Sequence, residues 1–142
     1  MVGAFECLGR VIGTVRILPM NQGLAPCDAV LASRPSLPGG LHGDGWEVGR
    51  LVLAPEYRAG PELLRHCLAL TLLHMVERVP VRNIFASCKP VLARLYRRFG
   101  YSVLVRDVPG PDGEAYCLIH GMIDTVMRAV ADQAPAPAAR LQ

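Results

Sequence analysis

One passage constrains this chain more than any other: Trp46-Glu47-Val48-Gly49-Arg50-Leu51-Val52-Leu53-Ala54-Pro55-Glu56-Tyr57-Arg58, and the apolar run that follows it. The stretch 46–54 is rich in β-forming residues, and Leu51-Val52-Leu53 is continuously apolar, which predicts a central strand. Pro55 breaks it into a short polar turn. Pro61 then opens a helix at a position where a missing N–H costs nothing. From Leu63 to Val76 the helix leaves only a narrow polar stripe around Glu62, His66 and Glu77, so it is expected to pack against a sheet. A strand that passes through a basic turn into a helix is a common holder of a phosphate-bearing cofactor or carrier.

The rest of the chain supplies the other elements of an α/β unit. Residues 5–18 read as a hairpin or a pair of short strands, and Pro19 stops the apolar run that begins at Val11. Arg16 lies inside that run, and its plainest reading is an outward-facing strand residue. Residues 21–45 are rich in Pro, Gly, Ala and Ser: a loop of roughly two dozen residues with one helical turn near 28–32, a length often used for binding loops. Gly39-Gly40 and Gly43-Asp44-Gly45 mark turns, and His42 among them reads as a solvent-exposed loop histidine. His66 and His74 are two helical turns apart, too far to chelate one metal, and read as core or flank packing. Residues 82–87 form a short strand. Lys89-Pro90 starts a helix with Leu92, Leu95, Tyr96 and Phe99 on one face and Arg94, Arg97 and Arg98 on the other. Gly100 is its left-handed stop. The three arginines read as a solvated face or as a dock for an acidic partner. Strands at 101–108 and 115–123 flank an Asp112-Gly113 turn. An amphipathic stretch, 123–131, precedes an Ala/Pro tail, 132–142, expected to be disordered.

Composition narrows the class. The chain has 142 residues, so 1–131 is expected to form a single domain with one core. An apolar fraction of 51% with 19% charged residues argues against disorder. A net charge of +3 suits an anionic ligand but is too weak to indicate nucleic acid. The five cysteines are scattered with no C-x-x-C pair, which predicts reduced thiols, no metal site and a cytoplasmic protein. No signal peptide is expected from the opening residues, and the run around 68–76 is expected to be too short to span a bilayer.

The element order resembles the GNAT acyltransferase fold, a mixed central sheet with flanking helices, without its opening strand and helices. Gly13-Thr14-Val15-Arg16-Ile17-Leu18-Pro19 resembles the Gly-x-x-Arg-Leu-Leu-Pro segment of acyl-homoserine-lactone (autoinducer) synthases. Trp46-Glu47-Val48-Gly49-Arg50 resembles their Trp-Glu-x-Ser-Arg segment, with Gly49 in place of Ser. The run Leu92-Ala93-Arg94-Leu95-Tyr96-Arg97-Arg98-Phe99-Gly100 resembles their Met-x-Arg-Leu-x-Arg-Arg-x-Gly helix end. Glu47 to Leu51 with Pro55-Glu56-Tyr57-Arg58 is equally similar to N-acyl amino acid synthases and ornithine acyltransferases. The acetyl-CoA loop of common GNAT enzymes is not intact, since Arg58 is followed by Ala59-Gly60-Pro61-Glu62-Leu63.

The resemblance implies a cytoplasmic N-acyltransferase of the quorum-sensing autoinducer-synthase type. It would move a fatty acyl group from acyl carrier protein, or acyl-CoA, to S-adenosylmethionine or an amino acid. It implies no permanently bound cofactor, no metal, no nucleic acid and no membrane insertion. The alternatives are an acetyl-CoA-dependent N-acetyltransferase and a non-catalytic module that binds an acyl chain or carrier protein. Amine acylation by a thioester needs a base, donors for the carbonyl oxygen, a slot for pantetheine and an apolar tunnel. Glu47 is the candidate base, and Arg16 and Arg50 would join it in an ion-pair network; the plain alternative is a structural salt bridge between adjacent strands. The acyl-donor and pantetheine site would comprise Val52, Leu53 and Ala54, with backbone N–H groups freed by a bulge, together with Arg58. Arg94, Arg97 and Arg98 would dock the carrier protein. Phe85, Leu104 and Leu118 are candidates for lining the acyl pocket.

Overall fold

Leu8 and Gly9, with φ of +51° and +79°, make the tight turn that joins β1 (Val2–Cys7) to β2 (Arg10–Pro19). From there a mixed sheet is built outward. The structure, a computed structural model, describes residues 1–34 and 44–131, with the backbone alone at 140–141. After β2 come α1 (Pro26–Ala32), β3 (Gly45–Leu53), α2 (Glu62–Val76), β4 (Asn83–Cys88) and α3 (Pro90–Arg98). The chain continues through β5 (Ser102–Pro109), β6 (Ala115–Met122), α4 (Ile123–Ala131) and β7 (Arg140–Leu141). Strand order is β5-β6-β4-β3-β2-β1-β7, so β3 is central, as its apolar run requires. All pairs are antiparallel except β3 with β4, which the helical crossover α2 makes parallel.

Strand alternation divides the core into two layers. Ile84, Ala86 and Cys88 of β4 face α2, α3 and α4, together with Val48, Leu72, Met75, Tyr96, Ile119 and Val126. Phe85 of the same strand faces the other way, where α1 packs Cys27 and Leu31 onto it, with Leu118 and Val105. α1 is longer than the expected turn because Pro26 sits in its first turn, where its fixed φ suits the helix. α3 starts at Pro90, carries Arg97 and Arg98 in its last turn, and stops at Gly100 with φ +93°. A side chain on Gly100 would also run into the backbone of α4, 3.2 Å from Thr125 O.

The polar stripe expected on α2 hides one exception. Arg65 is 3% exposed and donates to the carbonyl of Val130, at the end of α4, and pairs with Glu62. It ties two helices of one layer together. Of the expected Ala/Pro tail, residues 140–141 are described, and they pair with Glu6 and Phe5 at the edge of β1. His42 and the glycines at 39, 40 and 43 lie outside the described residues. The cysteines are free thiols, four of them buried. Among the described residues no helix is long and apolar enough to cross a membrane, and no cluster of His, Cys, Asp and Glu is placed to hold a metal.

Candidate active site

The parallel strands β3 and β4 pair only at Gly45, Trp46 and Glu47, opposite Asn83, Ile84 and Phe85. Beyond Glu47 they separate. β3 stays hydrogen-bonded to β2 as far as Leu53, while β4 follows β6 as far as Cys88. The result is a wedge whose apex is Glu47. A cavity of about 680 Å³ fills its open side, lined by Leu51, Val52 and Leu53, by Arg58 and Leu64, and by Leu95 and Tyr96. Leu92 and Arg98 of α3 complete the wall. Its lining is mostly aliphatic, with a guanidinium from each of Arg58 and Arg98.

The expected bulge lies in β3. Thr14 pairs with Val52 and Arg16 with Gly49, so β3 spends one extra residue there, and Arg50 takes φ +51°. Its consequence differs in detail from the sequence reading. The Ala54 amide is not free; it donates to Ile12 O at 2.7 Å. By alternation the Val52 amide also turns to β2, leaving the N–H and C=O of Leu53 to face the gap. Arg58 Nε donates to that carbonyl at 2.7 Å. Of the four residues expected at the donor site, Val52, Leu53 and Arg58 line the cavity, and Ala54 is outside the lining.

Glu47 projects to the opposite layer and is 3% exposed. Its Oε1 accepts a 3.0 Å hydrogen bond from the backbone N–H of Cys27, and its Oε2 lies 3.6 Å from Arg16 Nη2. α1 therefore seals the carboxylate. Burial, reinforced by the Glu47 charge, pushes the Cys27 thiol far above the usual range, so it stays protonated. Gly49 leaves room beside Glu47, since a Cβ there would stand 3.6 Å from Oε2. Among the described residues the expected network is a pair: the bulge turns Arg50 out to solvent, and Glu47 has its ion pair with Arg16.

The three arginines of α3 are exposed but do not share one setting. Arg98 lines the wedge cavity, whereas Arg97 and Arg106 border a smaller cavity of about 430 Å³ near Ser102. Phe85, Leu104 and Leu118, expected in the acyl pocket, belong to the layer under α1 and are absent from the cavity lining. Their parity along β4, β5 and β6 sends them to that face. On the α3 side the apolar lining was visible only as a helix face, Leu92, Leu95 and Tyr96, that reads as ordinary core. The Cys27 amide as a partner of Glu47 has no sequence signal, because it depends on where a long loop folds back.

No protein-family model matches the chain, and no curated protein matches it by sequence. Its structure has clear counterparts. TofI, solved in a ternary complex with an inhibitor and MTA, superposes with a TM-score of 0.65 at 18% identity, covering 89% of this chain and 65% of TofI. The CoA-dependent acyl-homoserine lactone synthase BjaI, solved with SAM and isopentyl-CoA, gives 0.65 at 15% identity, covering 92% and 63%. FeeM, an N-acyl amino acid synthase from uncultured soil microbes, gives 0.64 at 16% identity, covering 80% and 63%. The chain thus spans somewhat under two thirds of these proteins' length. Its fold is GNAT-like. The acyl-homoserine lactone and N-acyl amino acid synthases that its motifs resemble are among its structural neighbours.

Proposed function

We propose that the chain is an N-acyltransferase that moves a fatty acyl group from a phosphopantetheine thioester to a small amine. The observation that carries this reading is the wedge: where β3 has separated from β4 an apolar cavity opens between β3 and α3, and a carboxylate lies at the apex on the opposite face. An acyl-pantetheine arm would lie in the wedge with its thioester directed toward the apex, while the Leu53 N–H, farther out along β3, would face the arm itself. The amine approaches from the Glu47 side. Its ammonium gives a proton to Glu47, the nitrogen forms a bond to the thioester carbon, the C–S bond breaks, and the sulfur leaves as thiolate and takes up a proton. Arg16 holds Glu47 in place. The apolar wall of the cavity favours a fatty chain over an acetyl group.

The carrier is acyl carrier protein, docked on the exposed Arg94, Arg97 and Arg98 of α3, whose charges suit an acidic surface and of which Arg98 lines the cavity. The acceptor is S-adenosylmethionine or an amino acid, and the reaction takes place in the cytoplasm as part of autoinducer-type synthesis. Mass spectrometry of solvent extracts from bacteria expressing the chain, beside a Glu47→Gln control, tests this. An N-acyl lactone or N-acyl amino acid that falls about 10²-fold or more in the control is expected. No new product would refute the reading, and equal product in the control would remove Glu47 from the proton transfer. Purified acyl-carrier-protein and acyl-CoA donors, compared side by side, decide the carrier.

A further inference from the structure

The layer that holds Glu47 contains a second polar device. Phe85 pairs with Glu47 on its β3 side and with His120 on its β6 side, and His120 in turn pairs with Ser102 of β5. Residues directly opposite one another share a face of a sheet. Glu47, Phe85, His120 and Ser102 therefore form one row under the edge of α1. With strands about 4.8 Å apart, Glu47 and His120 stand roughly 10 Å apart at their Cα atoms. The first two residues of the row are sealed, at 3% and 0% exposure, whereas His120 is half-buried and Ser102 exposed. The row thus runs from the apex of the wedge out to open solvent.

His120 is built into this row rather than merely lying on it. Its Nε2 is 2.8 Å from Oδ1 of Asn83, which is itself 3% exposed, and its ring lies 5.0 Å from the Phe85 ring at a 44° tilt. An amide oxygen has no proton to give, so Nε2 carries the hydrogen and the lone pair is on Nδ1. Among the described residues Nδ1 has no hydrogen-bond partner. Burial holds the ring below the usual histidine range, which keeps it neutral at pH 7. A neutral, oriented imidazole presenting a free acceptor is suited to an N–H donor.

We propose that His120, oriented by Asn83, binds the amine acceptor, its Nδ1 accepting a hydrogen bond from an ammonium or N–H group as the substrate enters along the row toward Glu47. The inference rests on the acyltransferase reading and adds to it an entry side and a specificity contact. His120 holds the ammonium as the acceptor enters, and the same nitrogen then passes to Glu47, where it reacts.

Two measurements test it. In the first, the His120 ring is followed by long-range ¹H–¹⁵N NMR while S-adenosylmethionine, 5′-methylthioadenosine or single amino acids are added to the wild-type chain. The Nε2–H tautomer is expected in the free protein. The Nδ1 resonance should move with S-adenosylmethionine or an amino acid, and not with methylthioadenosine, which lacks the ammonium. In the second, acylation kinetics are compared for His120→Phe and His120→Asn, the latter placing an amide oxygen near the position of Nδ1. His120→Phe should raise KM for the amine about tenfold with kcat within a factor of two, and His120→Asn should recover most of that loss. A resonance that no amine moves, or an unchanged KM in His120→Phe, overturns the proposal while acylation by the wild type leaves the enzymatic reading standing. Movement of Nδ1 in a chain that acylates nothing establishes the binding site and refutes the enzymatic reading.

Discussion

Removing Arg16 should reveal what the Glu47 carboxylate costs when it is left alone. The pair is 3.6 Å apart, with side chains 27% and 4% exposed. At an effective dielectric constant of 20, unit charges at that separation attract by roughly 4–5 kcal/mol, and desolvation offsets much of it. Losing one partner of a fully buried pair costs about 3–5 kcal/mol. Arg16 is partly open to water, and Glu47 keeps its bond from the Cys27 N–H in the variant. The expected loss for Arg16→Gln is therefore about 2 kcal/mol. For a chain of this size that lowers Tm by roughly 6 °C. The assay is a thermal or urea double-mutant cycle with Glu47→Gln, whose amide oxygen can still accept from Cys27. Because the double variant contains no unpaired buried charge, it should regain about 1 kcal/mol relative to the sum of the singles. If Arg16→Gln melts within a degree of the wild type, or the two losses simply add, the ion-pair argument is wrong.

Three further outcomes follow from the same geometry. Gly49→Ser should fold with a Tm within a few degrees of the wild type, because the new Cβ meets nothing nearer than Glu47 Oε2 at 3.6 Å; a loss well beyond this would show that the strand cannot accept a side chain there. Arg98→Glu should weaken donor binding about tenfold at low salt and much less at high salt, whereas a salt-independent change would place Arg98 outside the donor's field. Burial depresses the His120 pKa below its ordinary 6.5, so the unfolded chain binds that proton more readily. His120's contribution to stability should be complete above 6.5 and fall as the pH drops through 6.5 toward the folded value, a dependence that His120→Phe removes and urea midpoints across the range would record.

Period and punctuation in the sequence give most of the fold. Pro19, Pro61, Pro90 and Gly100 mark boundaries because proline lacks a donor and glycine tolerates positive φ, and the structure places element ends within a residue or two of each. The Asp112-Gly113 turn joins β5 to β6 for the same reason. What local pattern does not encode is side. A one-residue bulge redirects Arg50 to solvent, and parity alone sends Phe85 and Leu118 away from the cavity. Arg65 is a further case: a helix that reads as apolar except for a narrow polar stripe gives no sign that one cation will be buried to reach the end of α4. Of the site residues supplied by motif resemblance, Val52, Leu53, Arg58 and Arg98 line the cavity and Glu47 pairs with Arg16 on the opposite face, whereas Arg50, Ala54, Arg94 and Arg97 lie outside the lining; the partners of Glu47 come from distant segments.

The helix that covers Glu47 bears on tempo. Under the proposed acyltransferase reading, an amine giving its proton to this carboxylate would have to wait for α1 to lift Cys27 away, together with the apolar contacts of Leu31 and Met20. That excursion would then set a ceiling on turnover, however fast the bond-making step is. Between excursions the carboxylate is shielded from water and from stray amines. Throughput would then be tuned by residues that hold the helix down, far from any atom that reacts.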